Sequence, residues 1–327
     1  MRLKSKVLAA VLTVVLSLGV AALAGAAGDL KYPTKSIELI CSMSPGGDSD
    51  FNARALAKYL TIELGQNVVV TNITGGGSSV ATDEFVHSKN DGYRLYMNHA
   101  PLHTATAFGI SEFAWYDMDP VCIFGRGTGE VLTVHGNNPA KNLKELIELS
   151  QKEPGKYKFA YNAGATSHYV AVKLALAGAK FNNVTTGSAA DRVVGLKGGH
   201  IDVMQAGIPM VEDYVKTGEF KYFCNMSTAR AALYPDVPTA MDQGFDIGFD
   251  PAYSLYAVKG TDPAIIAKLE AACKKIVLEN KEYQADIKKA FAQAPYFLGT
   301  EDARADLKKQ LDRYMEIKDE LRAGFKK

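Results

Sequence analysis

Four short stretches of this chain carry residue types that hold an anion, and each stands between a strand-like run and a helical pattern. They are Pro45-Gly46-Gly47-Asp48-Ser49, Gly75-Gly76-Gly77-Ser78-Ser79, Gly164-Ala165-Thr166-Ser167 and Thr186-Gly187-Ser188-Ala189. Glycine lets the backbone turn its N–H groups toward a ligand with no Cβ in the way. A helix starting immediately afterwards adds unpaired N–H donors and the positive end of its dipole. Four such starts opening on one cleft would hold a carboxylate without any cationic side chain.

Asp48 is the discordant residue among them. An acid facing a bound carboxylate repels it, unless the ligand also brings an ammonium or a hydroxyl. The competing reading is a helix-start acid turned to solvent. Asp50 reads as structural, capping its helix or turning its loop. His168 stands at a helix start, where the dipole disfavours its charged form. It reads either as a neutral ring holding a ligand oxygen or as a packing residue between lobes. Thr166 and Ser167 are anion donors or simple caps.

Other chemistries lack their residues. No Gly-x-x-x-x-Gly-Lys-Ser/Thr occurs, and Gly75-Gly76-Gly77 does not have dinucleotide-binding spacing. There is no hydrolase elbow and no zinc-binding histidine pair on a helix. His99 and His103 have Pro101 between them and no acid or cysteine nearby to complete a ligand set. Ser167 and His168 are adjacent, with no third group to orient them. No catalytic residue, metal or cofactor is expected.

The elements that must position these loops alternate. Ile37 to Cys41 reads as a strand, and the helix after it carries Ala53, Leu56, Ala57, Leu60 and Leu64 on one face, closed by Gly65. Val68 to Val70 is the next strand, followed by a helix with Val80, Phe85 and Val86; Arg94 to Met97 and Val121 to Phe124 are further strands. A second unit starts near Glu130 with the strand Val131 to Val134 and a helix over Leu143 to Leu149. Phe159 to Tyr161 leads into a helix presenting Tyr169, Val172, Leu176 and Ala177. Asn183-Val184 leads into one through Val193, Val194 and Leu196. Ile201 to Met204 and Tyr253 to Val258 are strands. Asp262 and Pro263 have the N-cap and N1 pairing of a helix start, and Lys308 to Leu321 is the last amphipathic helix. This is an α/β pattern in two lobes, the first expected over 28–130 and 251–327, the second over 131–250. The terminal helices are expected to pack back on the first lobe.

The first residues constrain location. Arg2, Lys4 and Lys6 precede an uncharged apolar run from Val7 to Val20, and small residues follow at Ala24 to Ala27. That is the layout of a secretory signal, with cleavage expected near Ala27-Gly28 and function in the periplasm. The run is shorter than the roughly 20 residues a span needs. Removing these three cations takes the 37 basic residues below the 36 acidic ones, so the mature net charge falls to about −2. Nothing in that balance attracts nucleic acid. Cys41, Cys122, Cys224 and Cys273 each sit in an apolar segment and read as buried free thiols.

At the same loops the chain resembles the periplasmic solute-binding receptors of tripartite tricarboxylate transporters, the TctC or Bug family. The matching segments are Tyr32-Pro33-Thr34-Lys35-Ser36-Ile37, Pro45 to Asp50 with Ala53-Arg54, and Leu64 to Val70 with Asn72. Asp91-Gly92-Tyr93, Pro120-Val121, Glu153-Pro154-Gly155-Lys156 and Gly164-x-x-Ser167-His168 follow in order. The resemblance covers almost all of the mature chain. It implies a two-lobed, type II-like α/β periplasmic binding protein that closes over a small organic carboxylate. It further implies a monomer that hands its ligand to membrane permease subunits, with no enzymatic activity. Carried over by position, Ser44, Gly47, Asp48, Ser49 and Asp50 line the first loop, and Gly77 and Ser78 the second. Thr166, Ser167 and His168 face them, with Thr186, Gly187 and Ser188 beside them and Asp202 near the rim. The chain departs from the family at Met43, where an aromatic is common, and at Thr185-Thr186-Gly187, where Tyr-Lys-Gly is common. Presenting a ligand to a membrane sensor, and an enzyme on the same scaffold, are the alternative readings.

Overall fold

The computed structural model describes residues 30–323, so the expected leader lies outside the described residues. The run Ile37–Cys41 (β1) is almost continuously apolar and buried, as a central parallel strand must be. The helix Asp48–Leu64 (α1) buries Ala53, Leu56, Ala57 and Leu60 and ends at Gly65. There φ is 67°, and the glycine N–H returns to the Thr61 carbonyl. Strands Val68–Asn72 (β2) and Arg94–Asn98 (β3) flank β1 in parallel, with helix Ser79–Val86 (α2) between them in sequence. Helix Ala100–Phe108 (α3) precedes strand Met118–Arg126 (β4).

The second sheet holds Glu130–His135 (β5), Lys158–Tyr161 (β6), Asn182–Thr185 (β7), Val203–Gly207 (β8) and Phe220–Asn225 (β9), in the order β7-β6-β8-β5-β9. Helices Leu143–Lys152 (α4), Thr166–Leu176 (α5), Ala189–Lys197 (α6) and Ile208–Lys216 (α7) connect these strands. Strand Ala252–Val258 (β10) then returns to the first sheet, antiparallel between β3 and β4, giving β2-β1-β3-β10-β4. Helices Pro263–Glu279 (α8), Lys281–Phe291 (α9), Thr300–Met315 (α10) and Lys318–Ala323 (α11) follow. The result is a bilobed α/β fold with two mixed sheets. Among the described residues, no helix is long and apolar enough to cross a membrane.

The chain passes between the sheets twice, and the two passages touch. Arg126 at the end of β4 donates from Nη1 to Asp250 Oδ1 at 2.5 Å, and Gly127 N–H donates to the Pro251 carbonyl at 2.8 Å. Met226 N–H donates to the Glu130 carbonyl at 2.8 Å.

Several elements depart from the sequence expectation. Helix α3 has no polar face to betray it: Ala100 to Ala105, Ala107 and Phe108 are all buried, so apolar periodicity is absent. The strand expected at Ile201 begins two residues later, because His200 and Ile201 N–H groups still close the end of α6 on Gly195. In α5 the buried face is Tyr169, Val170, Ala171 and Leu174, while Leu176 is exposed. The terminal helices do more than pack on the first lobe. Tyr314 of α10 meets Tyr169 of α5 edge-on at 4.7 Å and stacks near His103 of α3 at 6.2 Å. All four cysteines are buried and free.

Candidate ligand-binding cleft

The first turn of α1 brings Asp48, Ser49 and Asp50 to the carboxyl end of β1. Its N-cap, Gly47, has no side chain to bond the first N–H groups, which leaves them open. Ser44, Gly47 and Asp48 are exposed. Asp50 is not: Gly46 N–H (3.0 Å), Asn72 Nδ2 (2.8 Å), Arg54 Nε (3.0 Å) and Arg54 Nη2 (3.0 Å) all meet its carboxylate. Burial pushes its pKa up, but these donors outweigh that and hold it below the ordinary carboxylate value. Asp50 therefore shapes the loop and has no acceptor capacity left for a ligand.

Asp48 turns the other way. Tyr253 Oη donates to its Oδ2 at 2.6 Å, and Ser49 Oγ lies 3.4 Å from its Oδ1. Ser49 is buried, with His99 Nε2 at 2.9 Å from its Oγ. His99 also packs edge-on against Tyr253 at 5.4 Å, and burial lowers its pKa, partly offset by Asp48. His99 was set aside in the sequence as an incomplete metal ligand; here it is a neutral strut under the α1 start.

The second loop needs its glycines. Gly75, Gly76, Gly77 and Ser78 all have positive φ, at 129°, 54°, 61° and 86°. A Cβ on Gly76 would stand 2.1 Å from Ser79 Oγ. Ser78 alone bears a side chain there, a conformation that strains an L-residue. It is 2% exposed. Its Oγ lies beside the Tyr96 hydroxyl without completing a hydrogen bond of good geometry. A Cβ on Gly77 would lie 3.6 Å from the Gly164 carbonyl, so the loops of the two lobes approach one another.

Across the cleft, α5 starts at Ala165 with no side-chain cap, like α1. Thr166 Oγ1 donates toward Glu130 Oε2 at 3.4 Å. Ser167 Oγ is turned back, accepting from Asn162 N–H at 2.9 Å. His168 packs between lobes: it stacks on Phe108 at 4.6 Å and lies tilted against Tyr161 at 4.4 Å, and its Nδ1 accepts from Gly164 N–H at 3.3 Å. Burial lowers its pKa to about 4, so the ring is neutral.

The fourth loop and the rim residue are placed differently from expectation. Helix α6 is capped from within: Ser188 Oγ accepts from Asp191 N–H, and Asp191 Oδ2 accepts from Ser188 N–H. Thr186 N–H is taken by the Tyr161 carbonyl, and the Gly187 carbonyl by Arg192. The Thr186, Ser188 and Asp191 N–H groups of this helix start are thus already taken. Asp202 accepts from Lys158 N–H at 2.8 Å, at the beginning of β6. The cleft loops leave the other end of that strand, three residues or about 10 Å away. Asp202 belongs to the far end of the sheet.

Sequence reasoning missed Glu130, Arg192, Gln205 and Tyr253. Glu130 opens β5 at the first passage between lobes. Its pKa is raised, by burial first and by Asp48 as well, against the pull of Arg192 and hydrogen bonds from Gln205 and Thr166. Arg192 is 5% exposed and donates to the Gln205 and Gly187 carbonyls at 3.0 and 3.3 Å. No motif marks these residues; only the return of β8 and β10 beside β5 and β4 gathers them. Among the described residues, no group of three or more His, Cys, Asp or Glu could hold a metal ion.

This geometry, an uncapped helix start in each lobe with the Gly77 and Gly164 loops close together, belongs with the sequence match. The profile of the tripartite tricarboxylate transporter family receptor covers residues 52–320. The chain belongs to that family. The receptor is 32% identical over 263 residues to protein BugT of Bordetella pertussis, which spans 76% of this chain and 79% of BugT. A TctC solute-binding protein from Polaromonas shares its fold with a TM-score of 0.72 at 26% identity, over 88% of this chain and 98% of that one. An R. palustris protein solved with adipate gives a TM-score of 0.76 at 18% identity, over 89% and 98%, a likeness of fold alone. Members of the family are periplasmic solute receptors, and this chain is a receptor of that class.

Proposed function

We propose that the receptor captures a small organic carboxylate between its lobes and delivers it to tripartite tricarboxylate transporter membrane subunits. The observation that carries this is the pair of uncapped helix starts. The α5 start carries Thr166 Oγ1 3.4 Å from Glu130 Oε2, and the field of Asp48 at the α1 start reaches the same carboxylate. A small anion reaches N–H donors of both only when they come within about 3 Å of it, so binding favours closure. The resemblance to a fold solved with adipate supports a carboxylate as the ligand class. The lobe limits that go with this reading are 28–130 with 251–327, and 131–250. The protein is exported and acts as a monomer in it, and Ser44, Gly47, Ser49, Gly77, Ser78 and Thr166 line the cleft.

Thermal-shift screening of aliphatic, hydroxylated, aromatic and amino carboxylates tests it. A specific rise in Tm with at least one acid is expected, since binding only the native state stabilises it by mass action. No shift across the panel, with no heat of binding by calorimetry, overturns the reading.

A further inference from the structure

We infer that the floor of the cleft is an ammonium subsite, so that the receptor takes amino carboxylates in preference to plain ones. This deepens the carboxylate reading above and rests on it. Asp48 from α1 accepts from the Tyr253 hydroxyl, and the fields of both Asp48 and Glu130, which opens β5, reach that group. The donors that bond these two carboxylates are neutral: Tyr253 Oη and Ser49 Oγ on Asp48, Thr166 Oγ1 and Gln205 Nε2 on Glu130. Arg192 is the cation whose field favours the Glu130 carboxylate, yet its hydrogen bonds go to main-chain carbonyls.

An independent observation points the same way. Asn52 and Gln205 are both 0% exposed. Each spends its amide NH2 on this cluster, Asn52 on the Asp48 carbonyl at 2.8 Å and Gln205 on Glu130. Their oxygens, Asn52 Oδ1 and Gln205 Oε1, are buried without a partner. Buried acceptors are ordinarily satisfied. The floor thus holds two carboxylates with the orphaned Gln205 Oε1 beside Glu130, and the orphaned Asn52 Oδ1 lies one turn along α1 from Asp48, all acceptors. A carboxylate oxygen cannot satisfy any of them. A primary ammonium brings three N–H donors and a positive charge.

The test compares acids that differ only in an amino group: succinate with aspartate, glutarate with glutamate, and butyrate with 4-aminobutyrate, by calorimetry on the mature protein. At least one amino member is expected to bind ten or more times tighter than its partner. Asp48→Asn and Glu130→Gln, near-isosteric changes whose folding is checked by ligand-free melts, should each cut that ratio about tenfold while the plain acid gains affinity. If neither variant folds, the wild-type ratios decide. Plain acids binding as tightly as their amino partners, or unchanged ratios in folded variants, overturn the subsite and leave the carboxylate receptor standing. A panel in which no acid binds overturns both.

Discussion

Tyr253 and Asp48 stand 205 residues apart, and the hydroxyl of one donates to the carboxylate of the other at 2.6 Å. One lies on the returning strand β10 and the other on the first turn of α1, so this bond ties the cleft floor to the second passage between lobes. Tyr253 is fully buried and its pKa is raised well above the ordinary value by burial first, then by Asp48. Removing the hydroxyl in Tyr253→Phe keeps the ring against Phe124 and His99. A hydrogen bond to a charged group contributes about 1.5–3 kcal/mol, and exposure of Asp48 puts this one at about 1 kcal/mol. Urea denaturation at pH 7 should show that loss with an unchanged m-value.

Asp50 predicts an acid limb. Its folded pKa is below the unfolded value, so the stability it contributes is present above the unfolded pKa of about 3.9 and is lost as pH falls through the folded one. Asp50→Asn should cost about 2–3 kcal/mol at neutral pH, since it leaves Arg54 without its nearly buried partner. The difference between variant and wild type should shrink as pH falls below the unfolded value of about 3.9. Urea titrations at pH 7 and pH 2.5 would reveal it, and a pH-independent difference would mean the loop does not depend on the charge.

His168 acts in a different window. Its folded pKa of about 4 lies below the unfolded value near 6.5, so the unfolded chain binds the proton first. Stability should therefore be constant above about pH 6.5 and fall between there and pH 4, by about 2–3 kcal/mol from this residue. His99 and His103, also held neutral by burial, add to the same slope. His168→Phe retains the ring contacts with Phe108 and Tyr161 and removes one proton from the linkage. Melting curves from pH 7 to 4 should be shallower by about one proton in the variant.

Ser78 offers a stabilising change. It holds φ of 86° as the only non-glycine in a run of four left-handed residues. Ser78→Gly relieves that strain and should raise stability by about 1 kcal/mol at the folded-state end, less the added freedom of the unfolded chain. Calorimetric Tm in the absence of ligand would register it. A lower Tm would show that the buried Oγ makes up for the backbone conformation.

The local elements were legible in the sequence because they rest on local chemistry. The apolar run of β1, the 3.6-residue stripe of α1, the left-handed stop at Gly65 and the Asp262-Pro263 helix start each need only near neighbours. So did the loops after β1 and β6, while the part Asp50 plays also draws on Asn72 of β2. Two things were decided by tertiary structure, whereas the Ser188–Asp191 cap of α6 is a local pair three residues apart. Asp202 went to the far end of the sheet because strand direction, not sequence nearness to a loop, sets which edge a residue occupies. The floor of the cleft came from Asp48, Glu130, Gln205 and Tyr253, gathered from α1, β5, β8 and β10. Their meeting follows from the antiparallel return of β8 beside β5 and of β10 beside β4, and long-range strand pairing leaves no periodic mark in the residues it joins.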